Sequence, residues 1–349
     1  MYVCINLPLS GGGIRGLFSV QMMIELSKYL HDEFRNYFDW ICGTSTGALI
    51  ASLLAKGNNL HTIRKLYFQF KDQIMIGKRP YNENKLELLF KNEFDDNVRM
   101  CDLLNRYGKH VLFYGTLVTH RPPTLRIFRS YSYPCVKENS KSIIYFKVWK
   151  ALRASTAAPL YFKSYKPYID GGLLANNPTL DSLVEFFRYQ SSIRKCNIQR
   201  TEDKLVESKL KVVLSFGNGH EEAQLKDLSD IYNRLNSVFD VSSMFHFREL
   251  IHIHKLWPLG DQIKFRMTNC NEHIVARSEN WCSACNILFF RINPLLSKKV
   301  FLDETNILKL INGLWDVKVY AFQKAMELKQ LAQVIDRLMD ASSFSSSSK

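Results

Sequence analysis

The feature that most constrains the fold of this chain is a serine placed between Gly43 and Gly47, where the sequence changes from a strand pattern to a helix pattern. The preceding run, 38–42, is mostly apolar, as a buried strand requires, and the following run, 48–55, favours a helix. A tight strand-to-helix turn needs small neighbours on both sides of Ser45, because a larger side chain at either glycine would clash. The pattern therefore predicts that Ser45 stands at a strand end, beside the N–H groups of a helix N-terminus, including that of Thr46.

A second glycine-rich segment, Gly11-Gly12-Gly13-Ile14-Arg15-Gly16, lies between a strand-like run at 3–7 and a helical pattern at 17–30. Its glycines fit the G-x-G-x-x-G spacing of a dinucleotide loop, which would need Asp32 or Glu33 at the end of a following strand. That region has a helical pattern instead. The alternative is that the amides of the loop stabilise a developing negative charge, as in an oxyanion hole.

The third motif is Asp170-Gly171-Gly172, which in isolation is typical of a surface turn. Ile169 and Leu173 flank the aspartate, and burial beside such groups would raise its pKa toward that of a useful general base. A conventional triad would instead place a histidine after the aspartate, and His220 is the best candidate in this order. The other downstream histidines are His246, His252, His254 and His273.

Taken together and in this order, the three motifs resemble those of the patatin-like acyl hydrolases. The resemblance extends to 154–162 and 170–178, which are similar to the family segment that carries an aspartate. The segments 290–294, 302–304 and 314–320 are similar to the C-terminal end of one branch, the catalytic domain of the group VI calcium-independent phospholipases A2. The resemblance covers residues 3–336.

The resemblance implies a three-layer α/β/α fold with a mainly parallel central sheet and the activity of a calcium-independent phospholipase A2, a carboxylic ester hydrolase. It implies Ser45 as nucleophile and Asp170 as general base, without a metal or cofactor. The implied oxyanion hole comprises Gly12, Gly13 and Ile14, with Arg15 at the family's basic position. The remaining motif glycines are Gly11, Gly16, Gly43, Gly47, Gly171 and Gly172.

One position departs from the family pattern. The family usually has aspartate before the three glycines, whereas this chain has Ser10, which can hydrogen-bond the loop only without charge. A catalytically weak, membrane-binding scaffold is therefore one alternative function. A lysophospholipase, triacylglycerol lipase or acyl transferase could use the same serine and aspartate, because specificity depends on pocket shape.

The length of 349 residues, with 46% hydrophobic and 23% charged residues, is that of an ordinary globular protein. We expect one domain over 1–340 and a disordered serine-rich tail over 341–349. There is neither an apolar run long enough to span a membrane nor the basic start of a signal peptide, so the expected location is cytoplasmic with peripheral membrane association.

Eight scattered cysteines favour reduced thiols in an intracellular protein over a disulfide framework. The spacing of Cys270, His273, Cys282 and Cys285 also fits a small zinc site, although the connecting segment is short. Reduced thiols without a metal are the expected state.

The net charge of +14 is unevenly distributed, and Glu138 is the one acidic residue between Arg121 and Lys166. Aromatic residues alternate with the basic ones there, which suits an anionic, partly apolar surface. A phospholipid membrane is the expected partner, because nucleic-acid fold signatures are missing from the sequence. The alternative is a solvated basic face whose aromatic residues lie in the core.

Two helical regions complete the sequence-based expectations. The helical region over 228–257 contains a cluster of three large apolar residues, Met244, Phe245 and Phe247. The cluster would pack in the core, enter a bilayer or contact a second copy. The resemblance also implies a homodimer and calmodulin binding near 245–257. A single helix is expected over 314–339. It would pack on the core through an apolar stripe formed by Trp315, Val319, Phe322 and Met326.

Overall fold

The structure, a computed structural model, describes residues 2–134, 141–199, 207–221 and 272–346. Seven strands are found: β1 (Tyr2–Leu9), β2 (Trp40–Thr44), β3 (His110–Leu117), β4 (Thr124–Arg129), β5 (Tyr168–Asp170), β6 (Ser208–Phe216) and β7 (Leu288–Ile292). The helices of the first half are α1 (Gly16–Ser27), α2 (Thr46–Lys56), α3 (Leu60–Gln73), α4 (Glu83–Phe94) and α5 (Met100–Asn105). They are followed by α6 (Lys141–Ile144), α7 (Val148–Ser155), α8 (Gly172–Ala175), α9 (Thr179–Gln199), α10 (Glu272–Ala284), α11 (Ile307–Gln323) and α12 (Ala325–Ser346). Two short 3-10 helices cover Gly13–Arg15 and Phe34–Tyr37.

The strands form one sheet in the order β4-β3-β2-β1-β6-β7, and β5 also pairs with β3. All neighbours from β3 through β7 along this order are parallel, whereas β4 and β5 run antiparallel to β3. The parallel strands bring their carboxyl ends to one edge of the sheet. The glycine-rich loop follows β1 and Ser45 follows β2 at this edge, as the sequence predicted.

Helices cover both faces of the sheet. Ile5, Leu7 and Leu9 of β1 pack in a core shared with α1 and α2, while Cys4 of the same strand packs on the opposite side. That second core is shared with α9 and α10 through Phe186 and Cys282, among other residues. Alternate strand residues thus enter opposite layers, which confirms the predicted three-layer α/β/α fold with a mainly parallel sheet.

The predicted helix over 314–339 is wrong in two respects. Two helices, α11 and α12, occupy this region, and Trp315, Phe322 and Met326 are exposed by 66%, 84% and 70% rather than packed on the core. The buried face of α11 carries smaller residues, including Gly313, where an added Cβ would lie 2.4 Å from the Phe18 ring of α1. Helix α11 therefore buries its face with small residues, because only small residues permit this close contact with α1.

The end of the chain also differs from the prediction. Helix α12 continues to Ser346, past the predicted boundary at residue 340, and 347–349 lie outside the described residues. The cluster around Met244 and the segment 245–257 lie outside them as well. Within the described ranges, no helix is long and apolar enough to span a bilayer.

The basic and aromatic segment over 121–166 contributes mainly to the core where it is described. Phe128, Tyr131, Tyr133, Trp149, Tyr161 and Phe162 are buried, whereas Tyr145 is exposed. This distribution matches the alternative in which most of the aromatic residues are core residues.

The cysteines do not all match the expectation of reduced thiols. Cys196 forms a disulfide whose partner is outside the described residues, while Cys4, Cys42, Cys101, Cys282 and Cys285 are free. Of the predicted zinc ligands, Cys270 is likewise outside the described part of the chain. Burial raises the pKa of the Cys282 thiol to about 12, which disfavours the thiolate that a metal would bind.

Candidate active site

Ser45 occupies a strained turn between β2 and α2. Its backbone has φ 53° and ψ −116°, a combination that a residue with a Cβ adopts only at a cost. The flanking glycines are needed for close packing: a Cβ on Gly43 would lie 2.1 Å from the carbonyl carbon of Gly47. A Cβ on Gly47 would lie 2.3 Å from the Leu9 carbonyl oxygen. The predicted strand–turn–helix context of Ser45 is therefore present.

Asp170 reaches the serine because of the unusual position of β5. Strand β3 pairs with β2 up to Thr44 opposite Tyr114, and the next residue, Gly115, pairs with Asp170. Since β4 occupies the other edge of β3, the ends of β2 and β5 meet head to head along one edge. Ser45 and Asp170 each stand at one of these two ends and are thereby brought together.

The two side chains are in direct contact. The Ser45 hydroxyl donates to Asp170 Oδ2 at 2.7 Å, and the Gly172 N–H donates to Oδ1 of the same carboxylate at 2.7 Å. Asp170 is completely buried. Burial raises the pKa of this carboxyl from 3.8 to about 7, although both hydrogen bonds favour the charged form and oppose that rise.

Ser155, which the sequence motifs did not single out, links the serine turn to the aspartate strand. Its hydroxyl accepts the Ser45 N–H at 2.9 Å and donates to the Tyr114 carbonyl at 2.6 Å. Its own carbonyl accepts the Gly171 N–H at 3.3 Å. Ser155 is fully buried, so its hydroxyl fixes the two ends of the pair against the shared strand β3.

The glycine-rich loop lies beside this pair. Gly12 and Gly13 line the same pocket as Ser45 and Asp170, and neither amide has a protein acceptor within the described ranges. Thr46, the first residue of α2, also lines the pocket, and the amides of a first helical turn have no helical acceptor. These amides are positioned to receive negative charge near Ser45.

Two members of the predicted oxyanion hole do not fit that role. The Ile14 amide donates to the Leu302 carbonyl at 2.8 Å, and the Arg15 amide donates to the Gly12 carbonyl at 3.1 Å. The Arg15 side chain is buried and donates to the carbonyls of Asn218 and Gly219. Arg15 thus fastens the loop to the segment that follows β6. It is not among the residues that line the pocket.

The loop is held without a carboxylate at the position where the family usually has aspartate. Ser10 is buried, and its hydroxyl accepts a hydrogen bond from Arg291 Nη2 at 3.2 Å. The neighbouring Gly11 donates its N–H to the Asn176 carbonyl at 2.9 Å and accepts from Asn218 Nδ2 at 2.5 Å. The loop is therefore fixed on both sides of Gly11 without a carboxylate at residue 10.

The competing interpretations of these motifs do not match the geometry. As far as the described residues extend, no histidine lines the pocket, and His220 is exposed in a bridge to Leu295. Asp32 follows α1 in an exposed turn, where it binds Asn36, so the acidic residue that a dinucleotide loop needs is not at a strand end. Asp170, by contrast, contacts Ser45 directly.

A pocket begins at Ser45 and Asp170, and the empty space in it is about 630 Å³ when the open solvent at its mouth is included. Its walls beyond the pair are mainly apolar and aromatic. They are formed by Leu49, Tyr67, Phe70, Met75, Tyr81, Phe90, Ala158, Tyr161, Phe162 and Leu302, with Thr156 and Asn176. Such walls suit an unbranched hydrocarbon chain more than a charged group.

Comparison with known proteins places the chain in a family. The model of the patatin-like phospholipase family matches residues 7–183. The 85/88 kDa calcium-independent phospholipase A2 of Mus musculus is 33% identical over 341 residues, which cover 94% of this chain and 40% of that protein. An intracellular phospholipase A2 of Caenorhabditis elegans is 30% identical over 334 residues, covering 95% of this chain and 29% of its own length.

A more distant relative is the calcium-independent phospholipase A2-gamma of Homo sapiens, 23% identical over 350 residues, with 95% of this chain and 40% of that protein covered. The chain thus spans less than half the length of these curated relatives. The family match covers both Ser45 and Asp170 and more than half of the sequence. This chain belongs to the patatin-like phospholipase family.

Proposed function

We propose that this chain is a calcium-independent lipid acyl hydrolase of the phospholipase A2 type that uses Ser45 and Asp170 as a catalytic dyad. The observation that carries the proposal is the 2.7 Å hydrogen bond from the serine hydroxyl to the fully buried aspartate. An ordinary aspartate is a weak base for a hydroxyl, and the raised pKa of Asp170 brings its basicity close to neutral pH.

In the first half-reaction, Ser45 Oγ attacks the carbonyl carbon of a fatty-acyl ester while Asp170 Oδ2 takes the hydroxyl proton. The carbonyl π bond opens, and the resulting oxyanion is stabilised by the amides of Gly12 and Gly13. Collapse of this intermediate breaks the ester bond, and the protonated Asp170 returns the proton to the leaving alkoxide. The products are an alcohol, here a lysophospholipid, and an acyl-Ser45 ester.

In the second half-reaction, water attacks the acyl-Ser45 carbonyl and Asp170 accepts its proton. Breaking the acyl–oxygen bond releases a fatty acid and regenerates the Ser45 hydroxyl with the proton from Asp170. The same carboxylate thus serves both steps. The short hydrogen bond from Gly172 keeps its second oxygen oriented throughout.

The pocket supports a long acyl chain as the part of the substrate that is bound. Its walls beyond the dyad are apolar, with Phe70, Met75 and Phe90 at positions that a hydrocarbon chain would contact. The names of the curated relatives favour phospholipids as the source of that chain. We therefore propose the surface of phospholipid membranes as the place of action.

The test is fatty-acid release from phospholipid vesicles by the full chain. Ser45→Ala and Asp170→Asn should each lower the rate on the order of 10³-fold or more, because both groups act in one unit. Ser278→Ala is the matched control: among the described residues, the hydroxyl of this buried serine bonds the Ile274 carbonyl of its own helix α10 and no other group. Wild-type release by either dyad variant would refute the dyad.

A further inference from the structure

Exposed apolar residues surround the mouth of the acyl pocket. Three separate segments each place a large exposed apolar residue next to a residue that lines the pocket. The pairs are Ile76 with Met75, Leu160 with Tyr161, and Phe301 with Leu302. The exposed members show 57%, 48% and 49% of their surface to solvent. We call Ile76, Leu160 and Phe301 the collar.

Contacts between residues close to the collar residues in sequence join the three segments. Arg79 donates from Nε and Nη2 to the two oxygens of Asp303 at 2.6 and 2.7 Å, and Tyr81 donates its hydroxyl to the same carboxylate at 2.5 Å. The Tyr81 N–H donates to the Tyr161 carbonyl at 2.7 Å, and the Arg79 guanidinium stacks over the Tyr161 ring at 4.6 Å. Residues within three positions of each collar residue thus contact one another in one cluster.

Leu160 has a backbone that a turn alone would not favour. Its φ is +73°, in the left-handed region, which is unfavourable for a bulky residue relative to glycine. The residue is nevertheless an exposed leucine, and it lies between Ala158 and Tyr161, both of which line the pocket. Neither burial nor the backbone conformation favours leucine here, and a surface contact of the side chain would explain its presence.

The charge around the collar is positive. The acidic residues of the rim are each neutralised by their own cation, in the pairs Asp303 with Arg79, Glu304 with Lys309, and Glu83 with Lys163. Lys78 and Lys299 are exposed and have no carboxylate partner within the described ranges. Lys299 also lies 6.0 Å from the centre of the Phe301 ring. An apolar patch edged by free lysines fits a surface of hydrocarbon beneath anionic headgroups.

We propose that the collar is the membrane-docking surface of the chain, and that it enters the outer layer of a phospholipid bilayer around the pocket mouth. Ile76, Leu160 and Phe301 lie among the acyl chains near the headgroups, while Lys78 and Lys299 contact anionic headgroups. The inference rests on the proposed function insofar as the pocket receives its acyl chain from that bilayer. Docking here lets a lipid enter the pocket without crossing water.

The experiment measures partition of the full chain onto vesicles by co-sedimentation. All proteins carry Ser45→Ala, so the lipid stays intact and the result does not depend on the proposed catalysis. The vesicles contain phosphatidylcholine alone or with about a third phosphatidylglycerol. The single variant Leu160→Gly relieves the backbone strain, so it should melt no lower than its parent and yet bind vesicles more weakly.

The triple variant Ile76→Ser, Leu160→Ser and Phe301→Ser should bind both kinds of vesicle at least about tenfold more weakly. The matched control replaces three apolar residues of α9 and α10, each at least as exposed as Phe301, with serine; these helices cover the opposite face of the sheet. The three residues are Val184, Ile198 and Trp281. The control should bind as its parent does. Lys78→Gln with Lys299→Gln should weaken binding to the anionic vesicles and leave binding to pure phosphatidylcholine unchanged.

The proposal is overturned if the collar variants partition like their parent, or if the control triple loses as much binding. It is also overturned if the collar triple changes a dimer to a monomer in sedimentation equilibrium while vesicle binding persists, because a second copy would then cover the collar. Failure of the proposed function is a separate result: if the chain with Ser45 intact releases no fatty acid, the dyad is contradicted, whereas the partition measurements still test the collar.

Discussion

At the scale of single residues, the chemistry depends on the environment of Asp170. Within the described part of the chain, the Gly172 amide and the Ser45 hydroxyl are the hydrogen-bond partners of its oxygens, and neither is a counter-ion. Complete burial therefore dominates and raises its pKa to about 7. In the proposed mechanism, the Ser–Asp pair works near neutral pH because exclusion of water raises the pKa of the base.

This environment predicts the pH dependence of catalysis. A general base must be deprotonated, so kcat/KM should rise with pH and level off, with a midpoint at about 7 set by Asp170. The measurement uses a monomeric soluble ester, since vesicle charge would otherwise change with pH. A midpoint near the ordinary aspartate pKa of 3.8 would contradict the proposed role of burial.

The sequence was sufficient to select Ser45, Asp170 and the loop glycines, because each lies in a motif whose small residues permit close backbone approach. It could not decide which loop amides are free. Ile14 was expected in the oxyanion hole, yet its N–H donates to Leu302, a residue nearly three hundred positions later. Only the tertiary contact reveals that pairing.

At the scale of elements, the dyad depends on the antiparallel strand β5. In a purely parallel sheet, two carboxyl ends could not meet head to head, because all strands run in one direction. Here β5 continues the line of β2 along β3, and the register of Gly115 with Asp170 places the carboxylate beside Ser45. Three residues of β5 are too few for the sequence pattern to mark it as a strand.

Ser155 should act as a positioning residue that holds this register. Ser155→Ala would leave the Ser45 N–H and the Tyr114 carbonyl without their buried partner. We expect kcat to fall roughly 10–100-fold with KM changed little, because ground-state contacts of the acyl chain remain. Steady-state kinetics with active sites counted by burst titration measures both constants per folded enzyme.

The control for this prediction is Ser278→Ala, which removes a buried hydroxyl of similar exposure far from the site. If the two variants lose the same small activity, or if Ser155→Ala raises KM alone, the hydroxyl does not position the dyad.

The sequence patterns predicted the buried strands but not the packing of the C-terminal helices. The strand-like runs at 38–42 and 211–216 overlap β2 (Trp40–Thr44) and β6 (Ser208–Phe216), since continuous apolar runs mark buried parallel strands. For α11 the apolar stripe was assigned to the wrong face. The close approach of Phe18 on α1 requires small residues around Gly313, and the pattern of α11 alone does not show which helix it packs against. The break between α11 and α12 was missed because neither glycine nor proline marks it.

At the scale of the whole molecule, two layers of helices exclude water from both faces of the sheet and leave one edge open for the site. The glycine-rich loop, the serine turn and Asp170 all lie at that edge, and the apolar pocket extends from it. The family resemblance predicted this arrangement. The collar could not have been found from sequence, because 76, 160 and 301 meet only through the contacts of Arg79 and Tyr81.

This arrangement predicts that catalysis does not require calcium. In the proposed mechanism, the base is a carboxylate and the oxyanion donors are backbone amides, so groups of the chain itself accept the proton and stabilise the oxyanion. Hydrolysis of phosphatidylcholine vesicles should therefore be unchanged by excess EGTA. A loss of rate that added calcium restores would contradict the prediction.

The central claim is that Ser45 is a nucleophile activated by Asp170, and covalent labelling with a fluorophosphonate followed by peptide mass spectrometry tests it most directly. We predict that the label is on Ser45, is absent from Ser45→Ala, and forms far more slowly in Asp170→Asn, while Ser278→Ala is labelled like the wild type. A label on another residue, or labelling of Asp170→Asn at the wild-type rate, would contradict the account.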